Sequence, residues 1–351
     1  MEIRRIALPR MEGKKESMNP VSATAVALTA LMSLPKIGRK RALTILNASV
    51  AAECASEPED ILARLLDMEG VPSGFADAWG RSQELMEKSA LAGIGAFSIY
   101  DEGYPERLRT IPDPPPVLFV KGDMAGLSAP NAIAIVGTRE PTQYGEKVAK
   151  RTGAAAASAG FAVVSGLAHG CDTLGHEGCL SEEGVGVAVM AHGLDRVYPA
   201  ANRGLASRLM EHKGCLVSEY PLGVTPARSA FAERDRIQSG LADGVLVIET
   251  DVQGGTMHTV RFAKAQKRRI ACIAHPSEWL HAEKTRGNQK LIEDQWAFAV
   301  PDGPALSTFF AEISAAAKPA LAEGKTEQVE PPPPSVEAKQ ETTPGQQAWD
   351  F

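Results

Sequence analysis

VVSGLAHGCDTLGH, residues 163–176, begins as a strand and then breaks. Two valines run into Ser165 and Gly166, then Gly170 and Asp172 appear, and a helical pattern takes over. The same alternation continues on both sides. Apolar runs at AIAIVG (132–137), FAVVSG (161–166), VGVAVMA (185–191), CLVSE (215–219), GVLVIE (244–249) and RIACIA (269–274) are separated by helix-like segments at 144–160, 171–183, 202–214 and 254–267. The runs are continuously apolar, so they read as strands buried on both faces. Such strands alternating with helices imply an α/β protein with a doubly wound, mostly parallel sheet.

Composition narrows the class. At 44% hydrophobic and 23% charged residues, the chain is ordinary for a globular protein. No apolar run reaches the ~18 residues of a membrane span, and the alanine-rich VSATAVALTALMSL (21–34) is too short and too mixed for a signal peptide. The five cysteines are scattered and form no CxxC pair, which points to a reduced, cytoplasmic protein without a disulfide framework or zinc site. The net charge of −6 is uneven: residues 131–300 hold 19 Lys and Arg against 18 Asp and Glu. The acidity therefore lies outside the sheet region, which leaves room there for a local basic cleft.

The flanks differ in kind. Residues 1–20 read as a polar leader and 21–95 as a small all-α module. Within the module, SLPKIGRKRALTIL (33–46) resembles the hairpin of a helix-hairpin-helix or SAM-like unit; the plainer reading is a turn between packed helices. Residues 97–123 form a connector whose prolines forbid helix between 112 and 116, ending in a short strand at 117–122. Residues 318–351 are rich in Pro, Glu and Gln and are expected to be disordered. Trp349, Asp350 and Phe351 close this tail as a short docking peptide or an unselected end.

In a parallel sheet, ligands sit beyond the carboxyl ends of the strands. Those ends carry Gly137, Thr138 and Arg139, then Ser165, Gly166, His169 and Gly170, then Gly254, Gly255 and Thr256 before a helix. Glycine lets a ligand approach the backbone, and a helix N-terminus offers N–H groups and partial positive charge to an anion. Arg139 adds a fixed guanidinium fork. Each turn taken singly is equally explained by helix–sheet packing. In FAERDRIQSGLADG (231–244), Phe231 with Arg234 and Arg236 is the composition that stacks a base and docks a phosphate; a solvated charge pair on a helix is the alternative. GxGxxG, P-loop and GxSxG patterns are missing. His169, Asp172 and His176 form no supported metal set, Asp172 reading better as a helix cap. No metal or cofactor is expected.

Taken in order, VGTR (136–139), SGLAHGCD (165–172), HGLDRVYPAAN (192–202), SEYPLG (218–223), FAERDRIQSGL (231–241), GGT (254–256) and GN (287–288) resemble the DNA-processing protein A (DprA/Smf) family. The resemblance covers residues 97–300 and implies an extended Rossmann-like domain over 97–310 behind the helical module. It implies a non-enzymatic, homodimeric protein that binds single-stranded DNA in a basic pocket. It also implies loading of a RecA-type recombinase during natural transformation. Carried over, the pocket uses Arg139, Ser165, Gly166, Phe231, Arg234, Arg236 and the Gly254–Thr256 turn. His169 stands where the family commonly has Arg, and Asp235 where it commonly has Asn, which implies binding that is weaker, partly pH-dependent through His169, or redirected to another ligand. A nucleotide-binding or nucleotide-hydrolysing member of the same superfamily is the alternative, since GGT matches part of a PGGxGTxxE turn.

Overall fold

The buried runs become strands, and their order places the candidate site. The computed structural model describes residues 22–50 and 58–317; the expected leader and tail, with Trp349, Asp350 and Phe351, lie outside the described residues. The chain opens with helices α1 (Ala23–Met32), α2 (Arg39–Val50), α3 (Pro58–Asp67) and α4 (Phe75–Leu91). Then come β1 (Ile94–Ser98), the short α5 (Glu106–Arg109) and β2 (Val117–Gly122). The alternating region follows as β3 (Ala132–Val136), α6 (Gln143–Ser158), β4 (Ala162–Ser165), α7 (Cys171–Ser181), β5 (Gly186–Val189), α8 (Arg203–Glu211) and β6 (Cys215–Ser218). It continues as α9 (Arg228–Gly240), β7 (Gly244–Val247), α10 (Thr256–Ala265), β8 (Arg269–Ile273), α11 (Arg286–Glu293), β9 (Phe298–Val300) and α12 (Gly303–Ala317).

Among the described residues the strands form one nine-stranded sheet of order β1-β2-β6-β5-β4-β3-β7-β8-β9. Strands β3 to β9 run parallel; β2 is antiparallel to both β1 and β6. From β3 the chain winds through β4, β5 and β6 in one direction, then returns and winds from β7 to β9 in the other. The reversal lies between β3 and β7, where an α/β sheet opens its ligand crevice.

Strand residues alternate between two apolar layers, as the pleat requires. Ala132, Ala134 and Val136 join a core with Ile237 of α9 and Val260 of α10. Ile133 and Ile135 point the other way, to Ala149 of α6, Cys179 of α7 and Phe309 of α12. Two strands were not expected from the sequence. β1 crosses the boundary drawn between the helical module and the connector, and β9 is a three-residue edge.

β1 changes the status of the helical module. α1 is buried continuously from Ala25 to Leu31. A helix apolar all round must be enclosed on all sides. It is enclosed by α2, α3 and α4 and by β1 and β2. Leu28 and Leu31 share a core with Ile94, Phe119, Leu209 and Leu216, so module and sheet edge form one hydrophobic unit. No described helix is long and apolar enough to cross a membrane.

An ionic cluster reinforces this joint. Arg236 grips Glu219 through Nη1–Oε1 at 2.7 Å and Nη2–Oε2 at 2.6 Å. Arg39, at the start of α2, donates to Glu219 Oε2 (3.2 Å), Glu233 Oε2 (3.0 Å) and Asp113 Oδ2 (2.9 Å). In the 33–46 hairpin, the turn between α1 and α2 leads into Arg39, whose guanidinium is spent on these carboxylates. Burial alone would raise the Glu219 carboxyl, but the charges and hydrogen bonds of Arg236 and Arg39 overcome it and hold the group below the usual range. Its stabilisation is therefore present above the ordinary glutamate pKa and lost as pH falls through the lowered one. Glu219→Ala should cost about 3–5 kcal/mol by leaving Arg236 buried without its main partner. Denaturant unfolding at neutral pH measures this, and the mutant's deficit should shrink in acid.

Candidate nucleic-acid interface

Backbone pairing of β3 with β7 runs on past both strands. Ile248 N donates to Val136 O (2.9 Å) and Thr138 N to Glu249 O (2.8 Å). The two loops beyond therefore leave the sheet side by side. The Glu249 carboxylate, fully buried, accepts from Thr142 N (2.8 Å) and Thr142 Oγ1 (2.6 Å) and meets His275 Nε2 at 3.2 Å. It pins the start of α6 to the end of β7. Asn288 does the same for the other loop: its Nδ2 donates to Ile248 O (2.9 Å) and Ile273 O (3.0 Å), and its Oδ1 accepts from Thr250 N (3.0 Å). The Gly287–Asn288 pair is thus a buried clamp beneath the β7–α10 loop.

Over these loops lies an open cleft of about 710 Å³. Gly137, Thr138 and Arg139 form one wall, Gly254, Gly255 and Thr256 another, and α9 the third with Phe231 and Arg234. The β7–α10 turn leads into a ten-residue helix with no acidic side chain in its first turn, so its positive end is uncompensated toward the cleft. Arg139 is exposed, and its guanidinium carbon sits 5.6 Å from the Phe231 ring centre. Tyr198, 47% exposed, adds a second ring 5.6 Å from Phe231. A cation beside two accessible rings suits a flat aromatic ligand carrying negative charge.

Arg234 is held differently. It is 5% exposed and seated against Gly166, where an added Cβ would overlap its guanidinium. With its amide turned so that the oxygen faces these donors, Gln238 accepts from Gly166 N (2.7 Å) and from Arg234 Nη1. Arg234 Nε has no hydrogen-bond acceptor; the nearest carboxylate oxygen, Asp235 Oδ1, is 3.7 Å away. A buried charged donor without a partner is costly, and a ligand anion in the cleft would supply one.

The remaining expected residues fall into two groups. Ser165, Gly166 and Gly170 build the wall from behind. Ser165 Oγ donates to Ile135 O (2.7 Å), and a Cβ on Gly170 (φ +74°) would strike Thr138 O at 2.5 Å. His169 is exposed but is not part of the lining. Arg236 points to the opposite side of α9, into the Glu219 cluster. Residues two apart on a helix do not share a face, so Arg234 and Arg236 cannot both serve one cleft. Helical spacing instead aligns Phe231, Arg234, Asp235 and Gln238; the sequence named the first two as binding residues and Asp235 only as a departure from the family pattern, and did not single out Gln238.

Asp172 accepts from Gly166 N (3.1 Å) and Ala168 N (3.4 Å), tying the β4–α7 turn. Burial raises its carboxyl, with Arg234 and these N–H groups pulling the other way. His176 is fully buried, and burial lowers it to about 3, so it is neutral. Among the described residues no group of three or more His, Cys, Asp or Glu side chains is placed to hold a metal ion.

Comparisons with known proteins converge on one family. A model of DNA recombination-mediator protein A matches residues 96–310. The DNA processing protein DprA of Bacillus subtilis is 38% identical over 181 residues, covering 52% of this chain and 61% of that protein. The X-ray structure of DprA from Streptococcus pneumoniae superposes with a TM-score of 0.62 at 26% identity, covering 82% of this chain and 95% of that one. DNA processing protein A from Helicobacter pylori, described for its single-stranded DNA binding mode, shares the fold with a TM-score of 0.56 at 24% identity, covering 64% and 96%.

Gly166→Ala tests the seat of Arg234. The added methyl overlaps the guanidinium and the Gln238 amide, so the variant should lose about 1–3 kcal/mol of stability, the usual range for overpacking. Denaturant titration reads it.

Proposed function

The chain belongs to the DNA recombination-mediator protein A family, and on that premise we propose that it binds single-stranded DNA in the β3/β7 cleft and acts as a recombination mediator. The observation that carries this reading is the pairing of Arg139 with Phe231 above the unpartnered Nε of Arg234. One strand can be held there at three points. Its base stacks on Phe231, with Tyr198 as the neighbouring platform. Its phosphates meet Arg139, Arg234 and the N-terminal N–H groups of α10.

The binding chemistry follows from these parts. Stacking on a ring tolerates any base, which suits a protein that must accept arbitrary sequence. The buried guanidinium is oriented before the strand arrives and loses little side-chain entropy on binding. Gly137 and Gly254 let their loops pack closely, Gly137 against Cys171 and Gly254 against Thr250 and Asp251, and so hold the two loop ends beside the cleft. Further along the same reading, the protein forms a homodimer that carries a strand to a RecA-type recombinase, as in DNA uptake. Ser165, Gly166, Gly170 and Arg236 serve by shaping and bracing, and His169 by lying near the β4–α7 turn.

Fluorescence anisotropy with a labelled oligo-dT tests the core of this proposal. Arg139→Ala should weaken binding and lower the slope of log affinity against log salt by about 0.7, one phosphate's share for a single strand. Phe231→Ala should cost about 1–3 kcal/mol, the worth of one stacked base, with little change in salt slope. Because Arg139 is exposed, Arg139→Ala should also leave the melting temperature unchanged. Full binding by both variants would overturn the proposal.

A further inference from the structure

The cleft contains a group that opposes its proposed ligand. Asp235 lies on the cleft face of α9 with its side chain 15% exposed. Counting the lining as a whole, the cations Arg139, Arg228, Arg234 and Lys284 face an equal number of acids, Glu140, Asp172, Asp235 and Asp251. With every acid ionised the cleft has no net positive charge. A polyanion gains little there unless one of the acids is neutral.

Asp235 is the acid placed to change. Asp172 is tied to two backbone N–H groups of the β4–α7 turn, which oppose the upward pull of burial on its carboxyl. Asp235 faces Arg234 on its own helix, Arg139 from the β3–α6 loop, Asp172 from α7 and the Thr259 hydroxyl from α10. His258 of α10, Asp251 of the β7–α10 loop and Lys284 share the same cleft. Arg234 Nε, at 3.7 Å, is too far for a hydrogen bond to Asp235. Burial first, with Asp172 adding to it, pushes the Asp235 carboxyl up to about 7 against the pull of Arg234, Thr259 and Arg139.

We propose that Asp235 is the selectivity-determining group of the cleft: a phosphodiester settles between Arg139 and Arg234 only when the Asp235 carboxyl is neutral, so each bound strand segment takes up one proton from solvent. This rests on the single-strand reading above. The neutral acid removes a repulsive charge beside the phosphate and leaves the positive charge of Arg234 uncompensated for it. The ionised acid occupies Arg234 electrostatically and turns anions away.

The test is oligo-dT anisotropy from pH 6 to 8.5 at constant ionic strength, on the full chain and on Asp235→Asn, each checked for an intact melting transition. Wild-type affinity should fall about tenfold per pH unit above neutrality. Asp235→Asn should bind with no slope and should exceed the wild type by about tenfold or more at pH 8.5. Calorimetric titration of the wild type at pH 8, in two buffers of different ionisation enthalpy, should show uptake of close to one proton per site. The same slope in both proteins would assign the proton to His258, His169 or Asp172 and overturn the inference while leaving the single-strand reading intact. Zero proton uptake would do the same. Absence of binding by either protein at every pH would overturn the reading and the inference together.

Discussion

The site exists because two loops at the reversal point of the sheet approach one another with no side chain between them. At Gly137 an added Cβ would lie 2.5 Å from Cys171 Sγ, and at Gly170 2.5 Å from Thr138 O. These contacts draw the β4–α7 turn under the β3–α6 loop. That loop in turn follows the Thr138 N–Glu249 O bond into register with β7. Arg139 leaves this layered stack at one fixed place, facing Phe231. The cleft is thus set by backbone packing and buried carboxylate ties, with its cations added on top.

Arg234 and Arg236 show how one short motif divides two tasks. Both are buried, and both would be costly if left alone. Arg236 is satisfied by protein carboxylates and joins α9 to α2. Arg234 is satisfied only in part and keeps one buried donor, its Nε, without an acceptor. The same helix therefore stabilises the fold on one side and stores unspent hydrogen-bonding capacity on the other. On the proposed reading, an anion entering the cleft meets a donor whose desolvation was met during folding.

The sheet was legible in the sequence because a strand buried on both faces leaves an unbroken apolar run, and seven of nine strands announce themselves so. β1 and β9 escaped because they are edges: IGAFS mixes small and polar residues, and FAV is too short to register. The Gly turns were legible as strand ends, and the structure gathers Gly137, Thr138, Arg139, Gly254, Gly255 and Thr256 around one hollow. Arg236 was misplaced because proximity in sequence was weighed above helical phase. Gln238 was missed for the same reason, although a period-3.6 reading of α9 would have found it; Asp235 was noted only as a departure from the family pattern, and Thr259 comes from the neighbouring α10. The balance of charge in the cleft was hidden altogether, since a near-neutral count over 170 residues says nothing about which eight of them meet.

β1 also decides what can be separated from what. The family pattern begins at residue 96, in the middle of that strand. A gene fragment cut there would split a strand, strip α1 and α4 from Phe119 and Leu216, and leave a sticky flank prone to self-association. The matched unit and the physical unit therefore do not coincide. Any exchange of front ends between relatives must carry a matching β1–β2 surface and a partner for Glu219. The helical module is thus fitted to the sheet as a lid, not joined to it as a bead on a string.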